Sequence, residues 1–442
     1  MIWNEYIEKK LKGMNIDQYE IYLSETESTS IEVKDQQLDC FTTAQRKGLS
    51  LRILQDNRLG FSYCTELSDT SLDQVITNAV MGAKNSSPEE YHAFPDVSGQ
   101  LPDIKVFDNS ISSITKEEKI QKVKDLEKAA LACDKRITKV RKAAYQENKN
   151  KLFLINYNGL NLSHQGTFFS FSIELVAEEK GDSQMGWDFD FKRFYKDLEV
   201  TNIGKTAASK ALELLGARSI PSFRGPVIFD NTVSSQFLGI LAPSFLAESV
   251  QKNKSMLKDK INAKIFSPHI EIVDDGLYPG GAATKPFDGE GVTRQTTPLI
   301  EQGILKNYLY DTFWAKKDGT HSTGNSSRNS IKAPPSVGHT NLYIKRGKEG
   351  FDNLTSQIDK GLLVNEVMGM HTANPISGDF SVGVNGFLLE KEKKRTPVKG
   401  IAISGNVMTL FNRVISAGTD LRFFGSTGAP SLLIEEMDIS GN

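Results

Sequence analysis

Two kinds of hydrophobic periodicity mark the first half of the chain. Apolar residues alternate with polar ones in three stretches, which predicts half-buried strands. The alternating apolar positions are Tyr19, Ile21 and Leu23, then Ile31 and Val33, then Leu49, Leu51 and Ile53. Helical spacing instead predicts helices at residues 2–12, near 72–83, near 115–130 and at about 201–215. The first half is therefore expected to be a mixed α/β domain.

Turn and capping residues sharpen the limits of these elements. Thr115 and Glu118 have the spacing of a capping box, in which two side chains satisfy free backbone N–H groups at the start of a helix. Gly216 follows the last of these helices and is suited to its C-terminal end. Asn158 and Gly159 lie between apolar runs, which predicts a β-hairpin.

The hydrophobic pattern changes after residue 220. Short apolar runs are now broken by Gly, Pro and Asn, at residues 226–229, 305–310, 341–344, 387–389 and 401–403. Such runs are typical of an antiparallel, barrel-like or sandwich-like domain, here interrupted by one helical stretch at about 231–247. The turn-rich segment 217–225 marks the boundary. We therefore predict an α+β protein with an N-terminal mixed α/β domain, 1–220, and a mainly antiparallel β C-terminal domain, 221–442.

Length, charge and cysteine content exclude several classes of protein. The chain has 442 residues, more than the roughly 250–300 at which a single core stops growing. Its net charge of −2 argues against direct nucleic-acid binding, which needs a local surplus of Lys and Arg. Cys40, Cys64 and Cys133 form no CxxC pair, and no apolar run approaches the ~20 residues that cross a bilayer. We expect a cytoplasmic protein with reduced thiols and no membrane insertion.

Common catalytic motifs are absent from the sequence. None of the six histidines lies in HExxH, and no two are four residues apart, so no helix face offers a ready pair of zinc ligands. The GxSxG motif of serine hydrolases and the glycine-rich motifs of nucleotide-binding loops are also missing. A zinc site assembled from distant residues stays open at this point.

Two turn-rich segments, 274–292 and 369–381, combine glycine and proline with carboxylates. Both can be explained as structural turns, in which glycine adopts positive φ and Asp or Asn closes local hydrogen bonds. Either could instead grip an extended peptide by strand addition. The structural explanation is favoured for the first segment, whereas the two are balanced for the second because it contains a titratable histidine. The candidate peptide- or partner-binding residues are His371, Asn374, Ser377 and Asp379.

The same segments belong to an ordered series of motifs. The series is DDG at 274–276, PFDGEGV at 286–292, TPLIEQGIL at 297–305, STGN at 322–325, HTANPISGDFSVG at 371–383, and PVKG at 397–400 with SGN at 404–406. Together they resemble the motifs of the TldD/PmbA family, once called modulators of DNA gyrase. The motif-bearing part covers about residues 220–442, and the first half agrees with the family in length and α+β texture.

The resemblance implies a function. Members of this family act as a heterodimeric metalloprotease that trims peptides, including a microcin precursor and an antitoxin. One type of subunit, TldD, carries HExxxH on a helix of its second domain and a late cysteine as a further ligand. Imidazole and thiolate suit zinc, and the glutamate suits a general base. The other type, PmbA or TldE, lacks that motif.

The present chain departs from the zinc-bearing pattern. Alignment with HExxxH places Ala242 and Ala247 at the two histidine positions and Pro243 at the glutamate position. The late cysteine position falls within Gly425–Gly428, and no cysteine follows Cys133. A methyl group can neither bind zinc nor transfer a proton, so the resemblance is to the PmbA/TldE branch. We expect no catalytic residue and no metal ligand in this chain, and zinc in a partner subunit.

Three hypotheses about function follow. In the first, the chain is a non-catalytic subunit that pairs with a TldD-type zinc-bearing partner, processes a peptide substrate with it, and forms a homodimer when alone. In the second, it is a binding protein that modulates DNA gyrase or a toxin–antitoxin system without proteolysis. In the third, it is a self-sufficient hydrolase that uses His371 with Asp379 or Glu290. The changes at the zinc positions favour the first.

Overall fold

The computed structural model describes residues 2–96, 99–390 and 394–441. The α-helices in this part of the chain are α1 Ile2–Gly13, α2 Asp69–Asn85, α3 Lys116–Leu131, α4 Val200–Glu213, α5 Asn231–Leu241, α6 Ala247–Gln251, α7 Thr312–Asp318, α8 Phe351–Ser356 and α9 Val407–Asn412. Short 3₁₀ helices lie at Asn109–Ser113, Tyr195–Asp197, Ala242–Phe245 and Met370–Thr372. None of the helices described is both long and apolar enough to cross a membrane.

The strands of the first half are long, and those of the second half are mostly short. The first half contains β1 Gln18–Lys34, β2 Gln37–Gln55, β3 Arg58–Cys64, β4 Ile137–Asn156, β5 Asn161–Glu179 and β6 Asp182–Lys192. The second half contains β7 Phe223–Phe229, β8 Ile272–Asp275, β9 Thr296–Glu301, β10 Ile304–Leu305, β11 Ser326–Ser327, β12 Ser336–Val337, β13 Leu342–Ile344, β14 Lys360–Met368, β15 Asp379–Glu390, β16 Lys394–Asn406, β17 Val414–Ala417, β18 Arg422–Phe424, β19 Thr427–Ala429 and β20 Leu432–Ser440. The predicted α+β class is confirmed.

The six strands of the first half form one antiparallel sheet in the order β3-β2-β1-β4-β5-β6. All the alternating positions predicted as strands belong to β1 and β2, which pair with each other along their lengths. The predicted hairpin joins β4 to β5 through Gly159, whose φ of +87° favours glycine. Helices cover one face of this sheet. Ile21 and Leu23 of β1 pack in the cluster with α1 and α2, while Ile31 and Val33 pack in the cluster with α3 and α4.

The helix limits follow the capping signals in one place and differ from the prediction in another. Thr115 Oγ1 accepts a hydrogen bond of 3.1 Å from the Glu118 N–H, so α3 begins where the capping box predicts. The helical stretch predicted at about 231–247 is not continuous. It ends at Leu241, passes through a 3₁₀ turn, and resumes at Ala247. Pro243 lies in this break, where its ring and missing N–H disfavour a continuous α-helix.

The second half contains a closed barrel and a second sheet. The barrel strands follow the order β16-β15-β14-β7-β20, and pairing of β16 with β20 closes the ring. The second sheet has the order β10-β9-β8-β13-β19-β18. Most pairs are antiparallel, as predicted, but β7 pairs with β14 and β13 pairs with β19 in parallel. The α5 helix lies between the two, with Val233, Phe237 and Leu241 fully buried in the large core that the barrel and second sheet share.

The limit between the two halves falls between α4, which ends at Glu213, and β7, which begins at Phe223. The other face of the first sheet, which carries none of the described helices, contacts the second half. Ion pairs join Arg52 of this sheet to Glu290 and Glu20 to Arg328. The division into independent domains at residue 220 stays a prediction.

Candidate functional site

The segment aligned with the family's zinc helix is apolar and interrupted. Ala242 and Ala247 are 3% and 0% exposed and belong to the main hydrophobic core. The backbone of Leu309 forms two hydrogen bonds with the break between α5 and α6. Its N–H donates to the Phe245 carbonyl at 2.8 Å, and its carbonyl accepts from the Ala247 N–H at 3.0 Å. From residue 231 to 247 the sequence contains no His, Cys, Asp or Glu.

The segment aligned with the family's late cysteine is the tight turn between β18 and β19. Gly425 occupies it with φ of +68°, and Phe424 pairs with Thr427 across it. The turn reaches α5, because the Ser235 hydroxyl donates to the Thr427 carbonyl at 3.2 Å. The nearest imidazole is that of His339, whose Nε2 lies 3.5 Å from Ser426 Oγ.

These residues do not fit zinc. A protein zinc site needs three or four His, Cys, Asp or Glu ligands at one point. The aligned positions offer two methyl groups, a proline and a glycine-rich turn. Within the ranges that the structure describes, no group of three or more His, Cys, Asp or Glu side chains is placed to hold a metal ion.

The second candidate feature is the loop between β14 and β15, residues 369–381. Asn374 Oδ1 accepts hydrogen bonds from the N–H groups of Ile376 and Ser377, at 2.8 and 3.2 Å. Ser377 Oγ accepts from the Asp379 N–H at 3.3 Å. Two of the four candidate side chains, those of Asn374 and Ser377, thus accept hydrogen bonds within the turn itself, which agrees with the structural explanation for them.

The end of this loop is fixed from β16. Asn406 Nδ2 donates to Asp379 Oδ1 at 2.8 Å and to the Ser377 carbonyl at 2.9 Å. The hydrogen bond from Asn406 holds the pKa of the Asp379 carboxyl below its usual value. His371 lies exposed in the 3₁₀ turn at the loop's start and makes no hydrogen bond or ion pair with any described residue. His371 is therefore the candidate side chain that is free to contact another molecule.

The loop is connected to the broken helix through residues 255–256. A Cβ at Gly378 would lie 2.6 Å from Met256 Sδ, so the two segments are in close contact. The Ser255 hydroxyl donates to the Ser244 carbonyl at 2.6 Å, and Ser244 lies in the 3₁₀ break. The structure thus brings the two features predicted from the sequence, the segment aligned with the zinc motif and the 369–381 loop, close together in the second half.

Glu290, the alternative partner for His371 in the hydrolase hypothesis, lies elsewhere. Its side chain is buried, accepts a 3.0 Å hydrogen bond from Arg52 Nη1, and accepts a second one from the Thr312 N–H at 3.1 Å. The carboxylate of Asp379, the other proposed partner, accepts a hydrogen bond from Asn406 Nδ2. The structure does not bring His371 into a catalytic pair with either carboxylate.

A buried ion network at the junction of the two halves was not predicted. Arg52 donates to both carboxylate oxygens of Glu20 and also to Glu290, while Arg328 forms a further short pair with Glu20. Burial acts to raise the pKa of Glu20, but Arg328 and Arg52 together hold it below its usual value. Glu20 and Arg52 lie on β1 and β2, Glu290 and Arg328 in the second half, so the network ties the halves together.

Two further acids of this region have raised pKa values. Asp288 accepts hydrogen bonds from the N–H groups of Glu290, Val292 and Ser326, and Asp311 accepts from the Trp314 N–H at the start of α7. Burial and the charge of Glu290 raise the pKa of each to about 7. The motif at 286–292 could have indicated Asp288 and Glu290, but no local pattern points to their partners.

Comparison with known proteins agrees with the motif series. The PmbA/TldA metallopeptidase domain 1, central domain and C-terminal domain match residues 19–83, 109–215 and 222–441. Metalloprotease PmbA of Escherichia coli O157:H7 is 27% identical over 429 residues, covering 96% of this chain and 92% of that protein.

Solved structures share the whole architecture. A candidate modulator of a DNA gyrase from Thermotoga maritima MSB8 has a TM-score of 0.91 at 27% identity, and the match covers 99% of each chain. TldE from Thermococcus kodakarensis also has a TM-score of 0.91, at 24% identity, over 99% of this chain and 100% of that one, which shows the same fold. Since three consecutive domains of one family match it across residues 19–441, the chain belongs to the PmbA/TldD metallopeptidase family.

Proposed function

We propose that this chain is the non-catalytic, PmbA/TldE-like subunit of a TldD/TldE-type metalloprotease complex that processes or degrades peptides. In this proposal a TldD-type partner supplies the zinc and the general base. The present chain supplies part of the surface that positions the peptide. Alone it forms a homodimer, the commonest closed assembly for a self-complementary surface.

The observation that carries the proposal is the composition of the broken helix. The conclusion does not depend on the alignment of single residues, because the whole stretch 231–247 lacks any His, Cys, Asp or Glu. The methyl groups of Ala242 and Ala247 are packed in the core, so neither position faces a cleft in which a metal could be bound.

The loop at 369–381 supports a role in contact with peptide or partner. Its backbone is fixed by Asn374, Ser377 and Asn406, and His371 remains exposed at its start. A rigid loop with a free imidazole can donate or accept hydrogen bonds without a large loss of conformational entropy on binding.

Reconstitution tests the proposal. The purified chain, a purified TldD-type subunit and their mixture would each be incubated with an unstructured peptide, and cleavage would be followed by mass spectrometry. The proposal predicts that the two proteins co-elute on size exclusion and that only the mixture cleaves the peptide efficiently. Cleavage by the present chain alone that survives a metal chelator would contradict it.

A further inference from the structure

Four basic side chains lie together where the first sheet meets the segment 276–294. They are His164 of β5, Arg193 just after β6, and Lys285 and Arg294 of the second half. The position that a Cβ on Gly166 would take lies 3.6 Å from His164 Nε2 and 3.8 Å from Arg193 Nη1, so these two groups are neighbours. Arg193 and Arg294 are almost fully buried, whereas His164 and Lys285 are partly exposed.

Two guanidinium groups fix the loop that precedes Lys285. Arg193 donates to the Gly281 carbonyl from Nε at 3.1 Å and from Nη2 at 2.7 Å. Arg294 Nη1 donates to the Ala283 carbonyl. Lys285 therefore follows directly after a backbone segment that both guanidinium groups hold, which fixes the point where its side chain leaves the backbone.

Several donors of the cluster have no partner. Within the described part of the chain, Lys285 Nζ and the ring nitrogens of His164 make no hydrogen bond or ion pair. Arg294 is only 9% exposed, and its Nε is buried without an acceptor. A buried donor that is left unsatisfied destabilises the folded state, and the great majority of such groups find an acceptor. This combination points to an acceptor from outside the chain.

Positive charge is in excess at this place. The carboxylates of Asp288 and Asp274 attract Arg294, but none among the described residues acts on the charge of Lys285 or His164. Burial and the two neighbouring guanidinium groups lower the pKa of Lys285 to about 8. Burial, followed by the charge of Lys285, lowers the pKa of His164 to about 4. Cations held together in a partly buried position attract an anion.

We propose that Lys285, His164 and Arg294 form a binding site for an oxyanion, either a carboxylate or a phosphate group. The oxyanion would accept hydrogen bonds from Lys285 Nζ and Arg294 Nε and reach them past the partly exposed His164. Charge-assisted hydrogen bonds of this kind are among the stronger ones in proteins. The site shares no residue with the broken helix or the 369–381 loop, and it does not depend on the proposed function.

Titration calorimetry on the full chain tests this site. The probes are sodium phosphate and one short peptide prepared both as the free C-terminal acid and as the C-terminal amide. Binding of phosphate identifies a phosphate-type ligand, and binding of the acid but not the amide identifies a peptide carboxylate. Lys285→Met is expected to weaken binding about tenfold or more, while Lys285→Arg retains most of it. Lys306→Met is the matched control, because Lys306 is also partly exposed but lies outside the cluster.

Thermal unfolding gives a second readout that does not rely on heat signals. In buffer without the probes, Lys285→Met is expected to melt at a higher temperature than the wild type, since it removes a partly buried cation whose charge is not compensated by a neighbouring carboxylate. The probe that binds should raise the melting temperature of the wild type and of Lys306→Met but not of Lys285→Met. The proposal is overturned if neither phosphate nor the free-acid peptide binds the wild type, or if Lys285→Met binds either of them as the wild type does.

Discussion

Two buried regions of the second half differ in what they contain. The segment at 242–247 is apolar apart from the buried Ser244 and packs into the main core, at the place where the family resemblance implies metal ligands. The region around Asp288, Glu290 and Arg294 is also buried but rich in ionisable groups. A protein retains buried charges only where they are paired or used, because their desolvation costs several kcal/mol. The first region contains no His, Cys, Asp or Glu, whereas the second contains buried ionisable groups that require a structural or binding role.

The largest loss of stability is expected from a substitution in the buried ion network that includes Glu290. Arg52→Met leaves the buried carboxylates Glu20 and Glu290 without their shared partner, so it should lower the free energy of unfolding by about 3–5 kcal/mol. Urea unfolding followed by circular dichroism measures the change. Lys47→Met is the control, since its pair with Glu25 is largely exposed and should contribute less than about 1 kcal/mol. Equal losses in both variants would show that the junction does not depend on the buried network.

The next effect depends on pH. Burial and the charge of Glu290 raise the folded-state pKa of Asp311 to about 7. Protonated Asp311 therefore stabilises the folded state fully below the unfolded-state pKa of about 3.9, and this stabilisation is lost as the pH rises towards 7. Asp311→Asn keeps the cap on α7 but cannot ionise. The free energy of unfolding of the variant, relative to that of the wild type, should rise steadily between pH 4 and 7 by a few kcal/mol at most. Above pH 7 this difference should stay constant.

Unfolding midpoints at pH 5, 6, 7 and 8 measure this gap. Asp352→Asn, at an exposed position in the first turn of α8, is the matched control and should differ little from the wild type at any of these values. A constant gap for Asp311→Asn from pH 5 to 8 would mean that Asp311 does not titrate in this range.

The apolar region predicts a smaller effect. Ala247→His inserts an imidazole into a fully buried position, which should lower the free energy of unfolding by about 1–3 kcal/mol through overpacking. Glu248→His, one residue along and partly exposed, should change it far less. Placing His, Glu and His together at 242, 243 and 247 should not create a zinc site, because both histidine positions are packed in the hydrophobic core. Stoichiometric zinc in that triple variant, with stability unchanged, would contradict the apolar description of this segment.

The smallest effect on stability is expected in the 369–381 loop. His371→Ala removes an exposed side chain, so the free energy of unfolding should stay within about 0.5 kcal/mol of the wild type. Peptide cleavage by the mixture with a TldD-type subunit should nevertheless slow. His321→Ala, another exposed histidine, should leave the rate unchanged. Identical cleavage rates for the mixtures with the wild type, His371→Ala and His321→Ala would show that His371 is not part of the peptide- or partner-binding surface.

Local patterns predicted the elements better than their connections. The alternation around Ile21 and Leu51 predicted strands of the first sheet, and Thr115 fixed the start of α3, because these signals act over a few residues. Pro243 carried a signal for the break in the helical stretch, which the apolar periodicity around it concealed. The parallel pairing of β7 with β14 depends on contacts more than a hundred residues apart, for which no local pattern exists.

For the candidate site, too, local features were predicted from the sequence and long-range contacts were not. The 369–381 loop was predicted from its turn residues, and the structure shows how Asn374 and Ser377 close it. The pairing of Arg52 with Glu290 joins positions 238 residues apart, and each residue alone resembles an ordinary surface charge. Sequence therefore indicated which segments are unusual, but the buried charges became visible only when the two halves were brought together.

Metal content is the decisive measurement, because the proposed function requires that this chain holds no zinc of its own. The purified chain and a TldD-type subunit, prepared in the same zinc-supplemented medium and passed through the same desalting step, would be measured by inductively coupled plasma mass spectrometry. We expect about one zinc per TldD-type subunit, the number that one catalytic site holds, and only trace zinc in the present chain. One zinc per copy of the present chain, retained through desalting, would contradict it.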